Sequence, residues 1–435
     1  MNKTMFFLGS LAYVALPIMY AKSIGLFAAV MFFSIILTIQ KSNNLDTWLF
    51  KLYIWSFAFF GVSIGGLKLS DVVLIVSCML LIMRKGKLVV NSKMLLIIPF
   101  FLYLFLQMGY FYLIRDSYLS NMLLELSRYT LALLTGLFFY QLRVNRGSLI
   151  KWLDKFCGLV SLQALVMYLV QTKATIANVD SGRLLAVSVF SDITESRISA
   201  FFSDPNKMMA FFLLVLVIRI LIEFKDKRAF TWHWQYWLYL LGALISLSRT
   251  SVIVVAMFLL FYAFYEKVFK KEHLLGTSVM LLLLVVFAAV GLLFKTTFVS
   301  AINDVFDGVL ALFGRDRTLT IDSNVTSDSR VLVWRSALSY IEQRPIFGNG
   351  LASELHLLPI PTHNSVVQLL LDTGIVGLVL YTIGLFNGVI KRVPGWVVVS
   401  LVVIPMFFLD LANFRLIFVM WSLAMKNDRF EKGGI

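Results

Sequence analysis

The chain has 435 residues, 60% of them hydrophobic and 14% charged, with a mean hydropathy of +0.86. Apolar runs of about 15 to 25 residues recur along it, close to the roughly 20 that a spanning helix needs, which excludes a water-soluble globular domain. The net charge of +15 does not point to nucleic acid, because the basic residues stand in short clusters between apolar runs rather than along one helix face.

In chain order, the runs predict spans at 4–20, 24–40, 48–65, 69–83, 94–114, 120–142, 149–171, 206–223, 234–247, 249–266, 274–295 and 364–390, then a short pair near 395–409 and 411–425. The first has one Lys before it, Pro17 inside it and no clean small-residue cleavage site after it, so it reads as a retained span. Every second connection is basic: Lys41; Arg84, Lys85 and Lys87; Arg143, Arg146 and Lys151; Lys225, Lys227 and Arg228; Lys267, Lys270 and Lys271; Lys391 and Arg392; Lys426, Arg429 and Lys432. By the positive-inside rule these face the cytoplasm, with both termini inside.

The expected fold is therefore all-α: a polytopic membrane protein of about 12 to 14 transmembrane helices forming a single integral membrane domain over residues 1–435. The lower count applies if the C-terminal pair does not fully cross and residues 48–83 form a re-entrant hairpin; the alternation of charged loops favours 14. Cys78 and Cys157 both fall within predicted spans, which leaves neither a disulfide framework nor a cysteine metal site.

Two connections exceed the rest in length, an outer loop at 172–205 and a large outer loop at 296–362. Loops longer than about 12 to 15 residues in a tight architecture are functional or disordered, and each of these carries charges of both signs. Outer turns such as Ala21 to Ser23 or Gly66 to Lys68 are too short to hold a site. In the first loop, Arg197 stands in Glu195-Ser196-Arg197-Ile198-Ser199, ahead of Asp204-Pro205-Asn206. Arg249, in Ser248-Arg249-Thr250-Ser251, opens an apolar helix, where a charge is costly unless it snorkels, pairs with an acid or meets a ligand. Arg128, Arg219 and Arg415 lie inside spans, where internal pairing is the expected role.

In the large loop, Val331, Trp334, Leu338 and Ile341 recur at helical spacing after Ser327 and Asp328, which suit an N-cap, and Arg344-Pro345 ends the pattern. This predicts an amphipathic helix over about 328–343 at the outer interface. Arg330 and Arg335 flank Trp334, so guanidinium groups are available to a phosphate-bearing ligand, although Trp and Arg serve equally as plain interfacial anchors. Gly348 and Gly350 then allow a sharp turn toward the next span.

His363, followed by Asn364 where the apolar run resumes, is suited to taking a proton near neutral pH; the blander role is a helix-start histidine that caps backbone groups. His233 and His273 lie at cytoplasmic ends and His356 mid-loop, and no pair has metal-ligand spacing. Several arginines, one histidine and no metal cluster suit binding of a lipid-linked pyrophosphate, with the arginines neutralising leaving-group charge and the histidine deprotonating an acceptor hydroxyl. Displacement at a sugar C1 passes through an oxocarbenium-like state, and the scheme calls for no divalent ion or other cofactor.

The motifs Ser248-Arg249-Thr250-Ser251, Arg330 with Trp334 and Ala337-Leu338, Pro345-Ile346-Phe347-Gly348-Asn349-Gly350, His363-Asn364 and Gly374-Ile375-Val376-Gly377-Leu378 follow one another in an order that resembles the O-antigen ligase and polymerase family of bacterial membrane glycosyltransferases. Arg197 with Pro205-Asn206 is similar to that family's earlier outer-loop element, which commonly has a glycine after the arginine where this chain has Ser199-Ala200. The resemblance covers about residues 195–380 at motif level and the N-terminal half only as a hydropathy profile.

The resemblance implies a GT-C-like multi-span fold and a metal-independent, inverting glycosyltransferase of the bacterial cytoplasmic membrane. Its donor would be an undecaprenyl-pyrophosphate-linked glycan used at the outer face, and its surroundings membrane lipid, a flippase and a chain-length regulator. Carried over by position, Arg249, Arg330 and His363 take the catalytic roles; Arg197, with Arg335, Trp334 and Asn364 beside them in the loop, is expected to bind substrate. The expected activity is polymerisation of repeat units into a surface polysaccharide (O-antigen, capsule or exopolysaccharide). The alternatives are a ligase that moves the finished glycan to lipid A core or another acceptor and, from a different class, a lipid-linked oligosaccharide flippase or transporter. A transporter would need charged residues lining its spans, whereas here the candidates concentrate in outer loops.

Overall fold

Long runs of Leu, Ile, Val and Phe without charge close their backbone hydrogen bonds within the segment when they form helices, the solution that hydrocarbon surroundings favour. The computed structural model of the chain is accordingly a bundle of helices; it describes residues 3–39, 44–64, 67–86, 89–114, 119–144, 146–171, 185–187, 198–202, 204–223, 232–246, 248–269, 326–390 and 393–425. Helices α1 (Lys3–Lys22), α2 (Ile24–Ile39) and α3 (Leu45–Phe57) are followed by strands β1 (Val62–Ile64) and β2 (Leu67–Lys68). Next come α4 (Leu69–Lys85), α5 (Ile98–Ile114), α6 (Leu119–Gln141), α7 (Arg146–Gln171), strand β3 (Leu185–Val187), α8 (Pro205–Glu223), α9 (Tyr236–Ile245) and α10 (Arg249–Phe269). The C-terminal part holds α11 (Thr326–Gln343), the short α12 (Glu354–Leu357), α13 (Ser365–Ile390), α14 (Gly395–Val398), a π turn (Val399–Val403), α15 (Ile404–Met406) and α16 (Arg415–Met425). Among the described residues, four helices are long and apolar enough to cross a bilayer: Ser92–Leu113, Leu119–Gln141, Pro205–Glu223 and Ser365–Ile390. The run predicted at 274–295 lies outside the described residues.

Two expectations are corrected. The apolar run read as one span at 48–65 is a 13-residue helix that stops at Phe57, after which the chain turns and enters β1. Apolarity there reports burial: Trp55, Phe57, Ala58 and Phe59 are fully enclosed. Within this mostly helical fold, β2, β1 and β3 form a small antiparallel sheet pairing Val62 with Val187 and Ser63 with Lys68. Finally, the buried face of α11 is rotated from the predicted stripe. Val333 and Ala337 pack with Leu358 and Leu371 while Leu338 is exposed, because small Ala337 lets α11 approach α13 where a bulkier residue would hold them apart.

The two ends of the bundle are chemically distinct. At one, Arg84 and Lys85 pair with Asp46, which also accepts the backbone N–H of Arg143 at 2.7 Å, and Arg219 of α8 pairs with Asp154 at 2.7 Å. At the other, Arg128 pairs with Glu125 at 2.8 Å, Asn413 donates to Glu125 at 2.6 Å and Arg415 pairs with Asp71. The three arginines placed inside spans are thus each matched to an acid. The core between the ends runs along α8 and α16, whose apolar residues are almost wholly enclosed.

α13 is broken rather than continuous. Gly374 adopts φ 63°, and the backbone groups freed by the break are taken up by the turn at 345–350 and by α5. Asn349 N and Gly350 N donate to the carbonyls of Leu371 and Asp372, and Ile375 N and Val376 N donate to those of Pro345 and Ile346. Gln107 Nε2 donates to Asp372 O at 2.7 Å and Tyr103 Oη to Thr373 O at 2.8 Å. A broken helix among apolar neighbours is stable only when its polar backbone is satisfied in this way.

Candidate active site

His363 lies at the junction between the docked turn and α13. Its backbone is left-handed, with φ 49°, a conformation that costs a non-glycine residue about 1–3 kcal/mol and persists only where neighbours impose it. The neighbours are identifiable. Before it, Thr362 is buried, its carbonyl accepts the indole N–H of Trp334 from α11 at 2.8 Å, and its hydroxyl donates to Glu354 at 3.3 Å. After it, Asn364 is buried and its Oδ1 accepts from Val366 N at 3.0 Å and Val367 N at 3.1 Å, capping α13. Ser365 then clamps the segment to the 409–411 loop: its N–H and hydroxyl donate to Leu409 O, and its Oγ accepts from Leu411 N at 2.6 Å.

That clamp brings in Asp410, whose Oδ2 lies 3.2 Å from His363 Nδ1. A carboxylate can only accept in this bond, so Nδ1 carries the proton. The imidazole is 48% and the carboxylate 37% exposed. Nearby, Glu354 of α12 is buried among Thr362 and Gln368, which donates to its Oε1 at 3.2 Å. Burial, reinforced by the negative charge of Asp410, pushes its carboxyl up to about 7.

Sequence reasoning passed over Asp410 and Glu354. Asp410 stands between the last two apolar runs, and a lone acid at such a junction was the available sign; Glu354 carried none, because its partners are fixed by the turn. Trp334 and Asn364, expected to touch substrate, spend the indole N–H and the amide oxygen on the protein and so position His363 from either side. Arg249 is the first residue of α10, and Arg330 and Arg335 lie on α11; the side chains of all three lie outside the described residues, as does Arg197.

The chain next to Arg197 and that next to Arg249 are nevertheless joined. Ile198 N donates to Ser246 O at 3.4 Å and Ser248 Oγ to Asn206 Oδ1 at 2.6 Å, so the Pro205-Asn206 step abuts the turn that leads into Arg249. Ala200, near the place of the family's glycine, keeps a left-handed backbone at φ 46°. A cavity of about 690 Å³ lies where α5 meets the docked turn, lined by Tyr103, Gln107, Phe111, Arg344 and Phe347 among others, apart from His363. Among the described residues, no three of His, Cys, Asp and Glu gather as metal ligands.

Residues 234–382 match the family model described as O-Antigen ligase. The match runs from the residues before α9 into α13 and takes in Arg249, α11, the docked turn and the His363-Asn364 step, which bears out the family resemblance drawn from the motifs. No curated protein matches the chain.

Proposed function

We propose that this membrane protein is a glycosyltransferase that polymerises undecaprenyl-pyrophosphate-linked repeat units into a surface polysaccharide at the outer face of the bacterial cytoplasmic membrane. The observation that carries the reading is the His363–Asp410 pair, an oriented imidazole held in an imposed turn at an accessible junction of apolar helices. In this reading, Nε2 of His363 takes the proton of a sugar hydroxyl on the incoming unit as its oxygen attacks C1 of the growing chain. The C1–O bond to the pyrophosphate breaks, and undecaprenyl pyrophosphate leaves with the electron pair.

Arg249 and Arg330 neutralise the charge that develops on the leaving group, with Arg197 and Arg335 as further contacts. Attack from the face opposite the leaving group inverts the anomeric centre. Asp410 stabilises the imidazolium that forms and keeps its ring in place.

The description of the matching family favours a second reading, transfer of the finished glycan to lipid A core or another acceptor. Deletion of the gene separates the two on one gel of surface glycan. Single repeat units left on the acceptor identify a lost polymerase, and long lipid-linked chains that never reach the acceptor identify a lost ligase. Unchanged glycan in a His363→Ala strain that still accumulates the protein would falsify both.

A further inference from the structure

At the end of the bundle that carries His363, two ammonium groups share one aromatic ring. Lys68 Nζ lies 3.4 Å from the centroid of the Phe60 ring and Lys207 Nζ 5.2 Å from the same centroid. Lys68 ends β2 just before α4, Lys207 stands in the first turn of α8, and both are half-buried. The ring attracts each cation by only about 1 kcal/mol, while the two like charges repel.

The acids nearby are already committed: Asp71 pairs with Arg415, Glu125 binds Arg128 and Asn413, and Asp204 accepts the N–H of Asn206 at 2.7 Å. Among the described residues, neither lysine has a carboxylate within ion-pair distance. Lys68, Lys207, Arg128 and Arg415 against Asp71, Glu125 and Asp204 thus leave one positive charge uncompensated in a half-buried place. Burial, and then the charge of Lys207, lower the Lys68 ammonium to about 7. Phe60 also packs on Phe414, four residues along the chain from the Asp410 that holds His363.

We propose that Lys68 and Lys207 hold the pyrophosphate of a second lipid-linked substrate, the incoming repeat unit. The proposal rests on the polymerase reading, because that reaction brings two lipid-linked pyrophosphates to one end of the bundle. A pyrophosphate bridging the two ammonium groups turns their repulsion into two attractions, and the Phe60 ring keeps water from one side of the bridge.

The test uses the full chain in phosphatidylcholine nanodiscs, titrated with farnesyl pyrophosphate and followed by native mass spectrometry. Wild type is expected to take two molecules per chain. Lys68→Gln with Lys207→Gln should weaken one of the two by about tenfold or more, while Lys68→Arg with Lys207→Arg retains it. A single molecule bound by wild type, or unchanged binding in the Gln variant, overturns the proposal. If that variant fails to accumulate, Lys207→Gln alone at the start of α8 carries the same comparison.

Nanodiscs containing phosphatidylglycerol distinguish the source of the phosphate. Persistence of the lysine-dependent site supports the substrate, and its full displacement identifies an ordinary anionic headgroup and overturns the assignment. His363→Ala should bind both molecules of farnesyl pyrophosphate and, given a lipid-pyrophosphate-linked oligosaccharide in a separate assay, fail to turn it over. Normal turnover by that variant sinks the polymerase reading without touching the binding result.

Discussion

Gly348 and Gly374 lie back to back: a Cβ on Gly348 would sit 2.5 Å from the backbone nitrogen of Gly374, and one on Gly374 would strike the Ile346 carbonyl. Both residues have positive φ, so alanine at either is strained before it clashes. Gly374→Ala is expected to destabilise the fold by about 1–3 kcal/mol from backbone strain alone, with steric displacement of the turn in addition. Thermal unfolding in detergent reads the loss, and a melting temperature equal to wild type would refute the docked arrangement.

Asp410→Asn keeps the shape of the carboxylate and removes its charge. Glycan transfer in proteoliposomes is expected to fall roughly 10²-fold, with His363→Ala at least as impaired and the double variant no worse than the worse single one. Additive losses would mean that the two residues act separately.

Trp334→Phe removes the indole N–H and keeps an aromatic ring. Without the 2.8 Å bond to Thr362 O, the turn that imposes the backbone of His363 loses about 1 kcal/mol of support, and the transfer rate should drop several-fold with little change in KM. A rise in KM with kcat retained would instead make Trp334 a substrate contact.

Glu354 supplies a pH signature. Its carboxyl titrates near 7 in the fold against its usual 4.5, so the folded state holds the proton more tightly and stability falls as pH climbs through that interval. Wild type should lose up to about 3 kcal/mol between pH 5 and pH 8, and Glu354→Gln should lack this component. Melting temperatures of the two proteins across that range check it; parallel curves would show that Glu354 does not titrate there.

Much of the helical frame was legible because apolar runs and charged breaks mark element ends directly: α4, α6, α7 and α8 begin and end within a few residues of the predicted bounds. The break after Phe57 was not, since hydropathy registers burial and is blind to whether an apolar segment is helix, turn or strand. The candidate base was readable as His363 from its place beside Asn364. Its partner was not, because Asp410 lies 47 residues away and pairs through a clamp made by Ser365, which no local pattern announces. The face of α11 was misread for a related reason: periodicity weights bulky Leu338, whereas close approach selects Ala337.

α16 is the last of the described helices to be made and among the most enclosed, packed against α6, α8 and α13. The helices it packs against are therefore synthesised before it. Arrival of α16 brings Arg415 to Asp71, while the loop just before it brings Asn413 to Glu125 and Asp410 to His363. In the proposed reaction, a chain stalled before residue 410 lacks the carboxylate that orients His363.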